Sequence, residues 1–357
     1  MGAAYDRFGP YTVHECLGAG GMAIVHRASI DIGGGVIREV ALKRLLPQFA
    51  DDRSFVADFV REAKIASQLR HPNIVRILEL GKHEGEYFIA MELVRGHSLQ
   101  HMQKLAAAVR LAFPVGVVIA LMAELCDALD YASSATGEDG EPLEIVHRDL
   151  TPSNLIVTHE GHLKIIDFGV AKALSGKFMT SSGLIKGKLG YMALETLAGK
   201  GADRRADIFS LGVIAWELLT ARRLFRGINE YETISLLHQG VQEPPSAYNA
   251  ECPPELDEIV LHALAKSREE RWPSAAVMRR PLDWMRRNHR AGAKELIAWR
   301  KALVPDVEPP DETTSMELST RDLIMEASRH LKADTIVNVD PPDPEATTIT
   351  PEPFADD

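Results

Sequence analysis

Two short polar clusters bounded by apolar, β-prone residues constrain this chain more than any other feature. They are Val146-His147-Arg148-Asp149-Leu150-Thr151-Pro152-Ser153-Asn154 and, shortly after, Ile165-Ile166-Asp167-Phe168-Gly169. An aspartate, an asparagine five residues on and a second aspartate thirteen beyond that supply oxygens suited to a hard divalent cation, with one carboxylate left to act as a base. The flanking runs Ile145-Val146, Leu155-Ile156-Val157 and Leu163 to Ile166 read as short strands that would hold the clusters in place.

A second pattern lies upstream. Leu17-Gly18-Ala19-Gly20-Gly21-Met22-Ala23-Ile24-Val25 is a glycine-rich turn between β-prone segments, where backbone N–H groups can approach phosphate oxygens closely. By itself it equally describes a plain hairpin. Val40-Ala41-Leu42-Lys43 then reads as a strand ending in an inward lysine, and a buried ammonium needs a partner. Glu62, on the amphipathic helix expected over Phe55 to Leu69, is the natural one.

Strands are also expected over Ile74 to Leu80 and Tyr87 to Val94, separated by the turn-like His83-Glu84-Gly85. Beyond Leu111 the pattern becomes helical. Val115 to Ala132 is apolar nearly all round, interrupted by Glu124, Asp127 and Asp130, and Ile208 to Leu219 is similar after Asp207, so both belong in a core.

With these residues the chain resembles a bacterial, eukaryotic-like (Hanks-type) Ser/Thr protein kinase over about residues 11 to 290. Further matches are His71-Pro72-Asn73-Ile74-Val75, Gly190-Tyr191-Met192-Ala193-Leu194-Glu195, Asp207 and Arg271. The resemblance implies an α+β, bilobal protein-kinase fold. Residues 1–10 form an N-terminal extension and 11–94 a small β-rich N-lobe with one main helix. Residues 95–300 form a larger, mainly α-helical C-lobe, and 301–357 an acidic Pro/Thr-rich disordered tail.

The same resemblance assigns roles. Leu17, Gly18 and Gly20 would cover ATP, Lys43 would contact its α- and β-phosphates, and Glu62 would hold Lys43. Asp149 would take or orient the acceptor hydroxyl proton, while Asn154 and Asp167 would hold Mg²⁺. Glu92-Leu93-Val94 would be the hinge beside adenine, with Met91 as gatekeeper, Val25 and Ala41 above the ring and Ile156 below it. Glu195 would pair with Arg271 structurally. Arg148 would bind a phosphorylated acceptor among Thr180, Ser181 and Ser182.

Four positions depart from the family pattern. Ala23 replaces the third loop glycine, and Leu194 replaces the proline of the Ala-Pro-Glu motif. The lysine expected two residues after Asp149 is Thr151, and the threonine expected after Gly187 is Lys188. The two residue types have changed places: either Lys188 reaches toward Asp149 and the γ-phosphate, or it faces solvent and Thr151 is merely tolerated. Loss of the lysine at 151 is also a tyrosine-kinase trait, whereas Gly20-Gly21-Met22 and the His71 to Val75 string favour Ser/Thr specificity. A pseudokinase scaffold is the alternative, and a small-molecule phosphotransferase fits less well with Tyr191 to Glu195 and Asp207.

Charge restricts the partners. The net charge is -11, but residues 301–357 hold fourteen acids and four bases, so the rest is nearly neutral. Such a body lacks the basic stripe that nucleic acid requires. The cluster Arg279, Arg280, Arg286, Arg287 and Arg290 reads as a solvated face. Cys16, Cys126 and Cys252 are widely spaced and read as buried thiols in a reducing, cytoplasmic setting. The longest apolar run, Leu111 to Ala123, is thirteen residues, short of the roughly 20 a membrane helix needs, so no membrane partner is expected. Eight of the twenty prolines lie beyond Leu303 among acids and threonines, a composition that resists folding. There Asp322 to Lys332 is the one candidate helix. Thr313, Thr314, Thr347, Thr348 and Thr350 read as solvated linker, with autophosphorylation sites for phosphothreonine-binding domains as the other reading. The other partners implied are protein substrates.

Overall fold

The computed structural model describes residues 6–137, 140–168, 187–288 and 292–303. Gly169, Thr180, Ser181, Ser182, Arg290, the 322–332 segment and the five tail threonines lie outside the described residues.

The first lobe is a six-stranded antiparallel sheet of β1 (Asp6–Phe8), β2 (Tyr11–Ala19), β3 (Ala23–Asp31), β4 (Ile37–Leu45), β5 (Ile77–His83) and β6 (Glu86–Glu92), in the order β1-β2-β3-β4-β6-β5. Alternation along the strands separates two apolar clusters. Val40, Leu42, Phe88 and Ala90 join Phe8, Tyr11, Val13 and Ala28 on one face, while Ala23, Ala41, Leu45, Ile89 and Met91 occupy the other. The helix α1 (Arg53–Gln68) covers that second face. Asp52 caps it by accepting from the Ser54 N–H, and Phe59, Glu62, Ala63 and Ala66 form its buried stripe. Glu62 is thus the carboxylate within an otherwise apolar stripe.

The second lobe contains β7 (Gly96–Ser98), β8 (Leu155–Thr158) and β9 (Leu163–Ile165), together with α2 (Leu99–Ala108), α3 (Val115–Ser134), α4 (Leu194–Leu197), α5 (Arg205–Thr220), α6 (Glu230–Gln239), α7 (Pro254–Ala263), α8 (Ala275–Asn288) and α9 (Ala293–Leu303). Helix α5 is the strut, with every residue from Ala206 to Thr220 buried. The three acids that interrupt α3 each have a task. Glu124 accepts from the Leu163 N–H and from Asn73, Asp127 pairs with Arg279, and Asp130 accepts from the Ala276 N–H. Among the described residues no helix is long and apolar enough to cross a membrane.

Several expectations need correction. Residues 6–8, assigned to an N-terminal extension, form an edge strand whose Phe8 is buried in the first lobe. Helix α9 runs to Leu303, past the boundary expected at 300, because Trp299, Arg300 and Leu303 are buried. Ile145-Val146 is buried but not a strand. Cys16 is exposed, since β2 turns outward from Glu15 onward. Arg279 braces α8 to α3 through Asp127 and also bonds Asp283, so the arginine cluster is not wholly a solvated face.

Candidate active site

The backbone between the lobes positions the site. Segment 73–75 pairs with β9 in parallel fashion: the Val75 N–H donates to Ile165 O and the Ile165 N–H to Asn73 O, both at 2.8 Å. Asn73 is buried, and its Nδ2 donates to Leu163 O at 2.7 Å. Asp167 follows two residues after Ile165, so this pairing sets where its carboxylate sits.

Lys43 and Ala41 share a strand face because they are two residues apart. From that face Lys43 Nζ donates to Glu62 Oε1 at 2.9 Å and to Asp167 Oδ1 at 2.8 Å. Burial pulls the Lys43 pKa down, but the two carboxylates outweigh it and hold the ammonium above its ordinary value. Across the cleft, Asn154 Nδ2 donates to Asp149 O at 2.8 Å and lies 3.3 Å from Asp149 Oδ2. The Ile166 N–H donates to Asn154 O at 3.0 Å, which ties the asparagine to the strand end that carries Asp167. The structure therefore brings Lys43, Glu62, Asp149, Asn154 and Asp167 into one bonded region, although they span residues 43 to 167.

Lys188 Nζ donates to Asp149 Oδ2 at 2.7 Å. Thr151 is buried, with its hydroxyl 2.8 Å from that of Ser153.

The apolar wall beside these groups gathers Val25, Ala41, Met91, Val94, Leu93 and Ile166 in one cluster. Ile156 is half-buried and points to the opposite side of β8 from the fully buried Leu155 and Val157. The Glu92 N–H donates to Arg76 O at 2.9 Å, and its side chain accepts from Lys164 and from the Arg76 N–H. Leu17 and Gly18 are exposed at the end of β2 and Gly20 on the turn that follows, which is closed by a Gly20 N–H to Ala23 O bond of 2.8 Å.

Three supports went unread in the sequence. Asp207 was read as a helix opener, yet it accepts from the His147 and Arg148 N–H groups at 2.7 and 2.8 Å and holds Arg148 at a φ of 62°. Burial drives its carboxyl up from 3.8 to about 6, against those two donors. Asn73 appeared only as part of a matching string. Glu217, buried in α5, accepts from the Tyr191 hydroxyl at 2.7 Å and from Arg223 at 2.9 Å. An acid inside an all-apolar helix was the available signal. Glu195 and Arg271 pair as expected, at 2.6 and 3.0 Å.

Residues 11–283 match the protein kinase domain family. Among curated proteins, the tyrosine-protein kinase MasK of Myxococcus xanthus is 41% identical over 286 residues, covering 80% of this chain and 44% of that protein. The serine/threonine-protein kinase PrkC of Bacillus subtilis is 34% identical over 271 residues, covering 76% of this chain and 39% of the relative. The chain thus spans less than half the length of either. Among solved structures, the PknI kinase domain of Mycobacterium tuberculosis superposes with a TM-score of 0.57 at 29% identity, covering 80% of this chain and 98% of that one.

Proposed function

The chain belongs to the protein kinase family, on its bacterial eukaryotic-like branch, and from that premise we propose that it transfers the γ-phosphoryl group of ATP to serine or threonine hydroxyls of proteins. The observation that carries this reading is the Glu62–Lys43–Asp167 chain of contacts facing Asp149 and Asn154. Phosphoryl transfer is mostly positioning and charge stabilisation, and these are the groups it needs.

The residues fit the cofactor and substrate they would hold. Asn154 turns its amide nitrogen to Asp149, which leaves its carbonyl oxygen as the end suited to a hard cation. With Asp167 it would hold Mg²⁺, which takes one or two protein oxygens beside the substrate's phosphates. When bound, the ion neutralises charge on the transferring group. Gly18 has nothing within 4 Å of where a Cβ would stand, and its φ is not left-handed. The fold does not itself demand glycine there, whereas phosphate approach to the backbone does.

In this reading Lys43 orients the α- and β-phosphates, Glu62 fixes Lys43, and Asp149 accepts the hydroxyl proton as the acceptor oxygen attacks. The wall of Val25, Ala41, Met91, Val94 and Ile156 holds the adenine. Arg148 would receive a phosphorylated residue of the 180–182 segment, and the tail threonines would recruit phosphothreonine-binding domains once modified.

The test is incubation with γ-labelled ATP and Mg²⁺, with and without a generic protein acceptor, followed by phosphoamino-acid analysis and site mapping by mass spectrometry. Phosphoserine and phosphothreonine are the expected products. Thr151 and the likeness to MasK favour a second reading, tyrosine transfer, which phosphotyrosine as the sole product would establish. Nucleotide binding without transfer would leave the scaffold alternative.

A further inference from the structure

Asp149 is 7% exposed and sits deep in the cleft. The cation that meets it comes from elsewhere in the chain. Two residues after Asp149 stands Thr151, buried and bonded to Ser153. Lys43, another ammonium of the cleft, is held by Glu62 and Asp167. Lys188 opens the turn 189–191, and its amino group lies 2.7 Å from Asp149 Oδ2. Its side chain is 31% exposed, against 6% for that of Asp149.

That turn is held firmly by the second lobe. A Cβ on Gly190 would stand 2.3 Å from Phe225 O, so the turn lies directly against that backbone. Ser210 Oγ on α5 donates to Tyr191 O at 2.7 Å, and the Tyr191 hydroxyl donates to Glu217 at 2.7 Å. Lys188 is therefore fixed one residue ahead of a turn clamped onto the buried strut.

We propose that Lys188 is a catalytic residue whose ammonium contacts the phosphoryl group in transit, held in place for this by the turn that the second lobe clamps. The proposal rests on the phosphoryl-transfer reading above. In the step, the hydroxyl proton passes to Asp149 and the acceptor oxygen forms its bond to phosphorus. The bond from phosphorus to the bridging oxygen breaks, and its electron pair leaves on the nucleoside diphosphate. A carboxylate and a phosphoryl group of the same sign must approach each other for this to happen. An ammonium has three donors; one goes to Asp149 Oδ2, and from that place the group can bridge carboxylate and phosphoryl oxygen. A donor aimed at developing charge in a water-poor site acts on the transition state more than on bound substrate.

The experiment measures kcat, KM for ATP and affinity for a fluorescent ATP analogue on the full chain, comparing wild type with Lys188→Met, Lys188→Gln and Lys188→Arg, each first checked for unchanged thermal unfolding. Removing the charge lowers kcat by about 10²–10³-fold, as loss of one transition-state donor does. Nucleotide affinity and KM stay within about threefold, because the lost contact is made in the transition state. Lys188→Arg recovers most of the rate. The proposal is overturned if the neutral variants keep wild-type kcat, if they exceed it, which would make Lys188 a lock on Asp149, or if nucleotide affinity falls as far as kcat. Wild type that transfers no phosphate at all defeats the functional reading and this proposal together. An active wild type indifferent to position 188 defeats this proposal alone.

Discussion

Lys43 Nζ lies 2.8 Å from Asp167 Oδ1, a contact between residues 124 positions apart that joins the sheet of the first lobe to the second. With Glu62 at 2.9 Å on its other side, Lys43 is held between one carboxylate from each lobe. The Lys43 ammonium is thus already oriented, with its counter-charges in place and its desolvation compensated.

Lys43→Met and Asp149→Asn are each expected to lower kcat by about 10²–10⁴-fold, the range for a positioned acid–base or charge-stabilising group. Asp149→Asn should keep nucleotide affinity close to wild type if, as proposed, Asp149 serves the acceptor and Lys43 the phosphates. Steady-state kinetics with a nucleotide-binding assay checks both; parallel loss of affinity in the asparagine variant would contradict the assignment.

Asp207 makes a pH-dependent contribution of known sign. Its folded pKa is raised from 3.8 to about 6, so the folded chain binds the proton more tightly than the unfolded one. This group therefore favours folding more at low pH, and that contribution declines as pH rises through about 4 to 6, by roughly 3 kcal/mol in total. Urea unfolding of wild type and Asp207→Asn between about pH 4 and pH 7 follows most of it. The stability of wild type relative to the variant should fall as pH rises, and a relative rise would reverse the sign.

In the Glu195–Arg271 pair the arginine side chain is fully enclosed and also donates to Ala265 O and Lys266 O, while that of Glu195 is 11% exposed. Arg271→Ala leaves a largely covered carboxylate without its partner and is expected to cost about 3 kcal/mol. Arg271→Lys should recover little, because a point charge cannot reproduce the two-pronged contact. Chemical denaturation gives both values.

Gly190→Ala would place a methyl group 2.3 Å from Phe225 O. Backbone must move to accept it, at about 1–3 kcal/mol, and the moving turn is the one that carries Lys188. A drop in kcat beyond that explained by the unfolded fraction is the expected result, read from activity and thermal unfolding on the same preparation.

Much of the site was legible in the sequence because its chemistry is concentrated in short runs. Asp149 and Asn154 share one turn, Asp167 ends a strand, and Lys43 sits on a strand face fixed by alternation with Ala41. The amphipathic pattern of α1 and the all-apolar patterns of α3 and α5 likewise announced their elements, since burial follows periodicity. Other features depend on neighbours far along the chain. Nothing local to Asp207 indicates that it will hold the His147 and Arg148 N–H groups, nothing around Glu217 foretells Tyr191 and Arg223, and β2 leaves Cys16 exposed although cysteine is commonly buried. The exchange between Thr151 and Lys188 shows the division most clearly. The residue types at both positions can be read directly, but whether the amino group reaches Asp149 depends on how the turn at 189–191 packs against α5 and Phe225. Periodicity and residue chemistry act within a few residues and are written in the sequence; convergence of distant side chains is set by packing of whole elements, which only the tertiary structure decides.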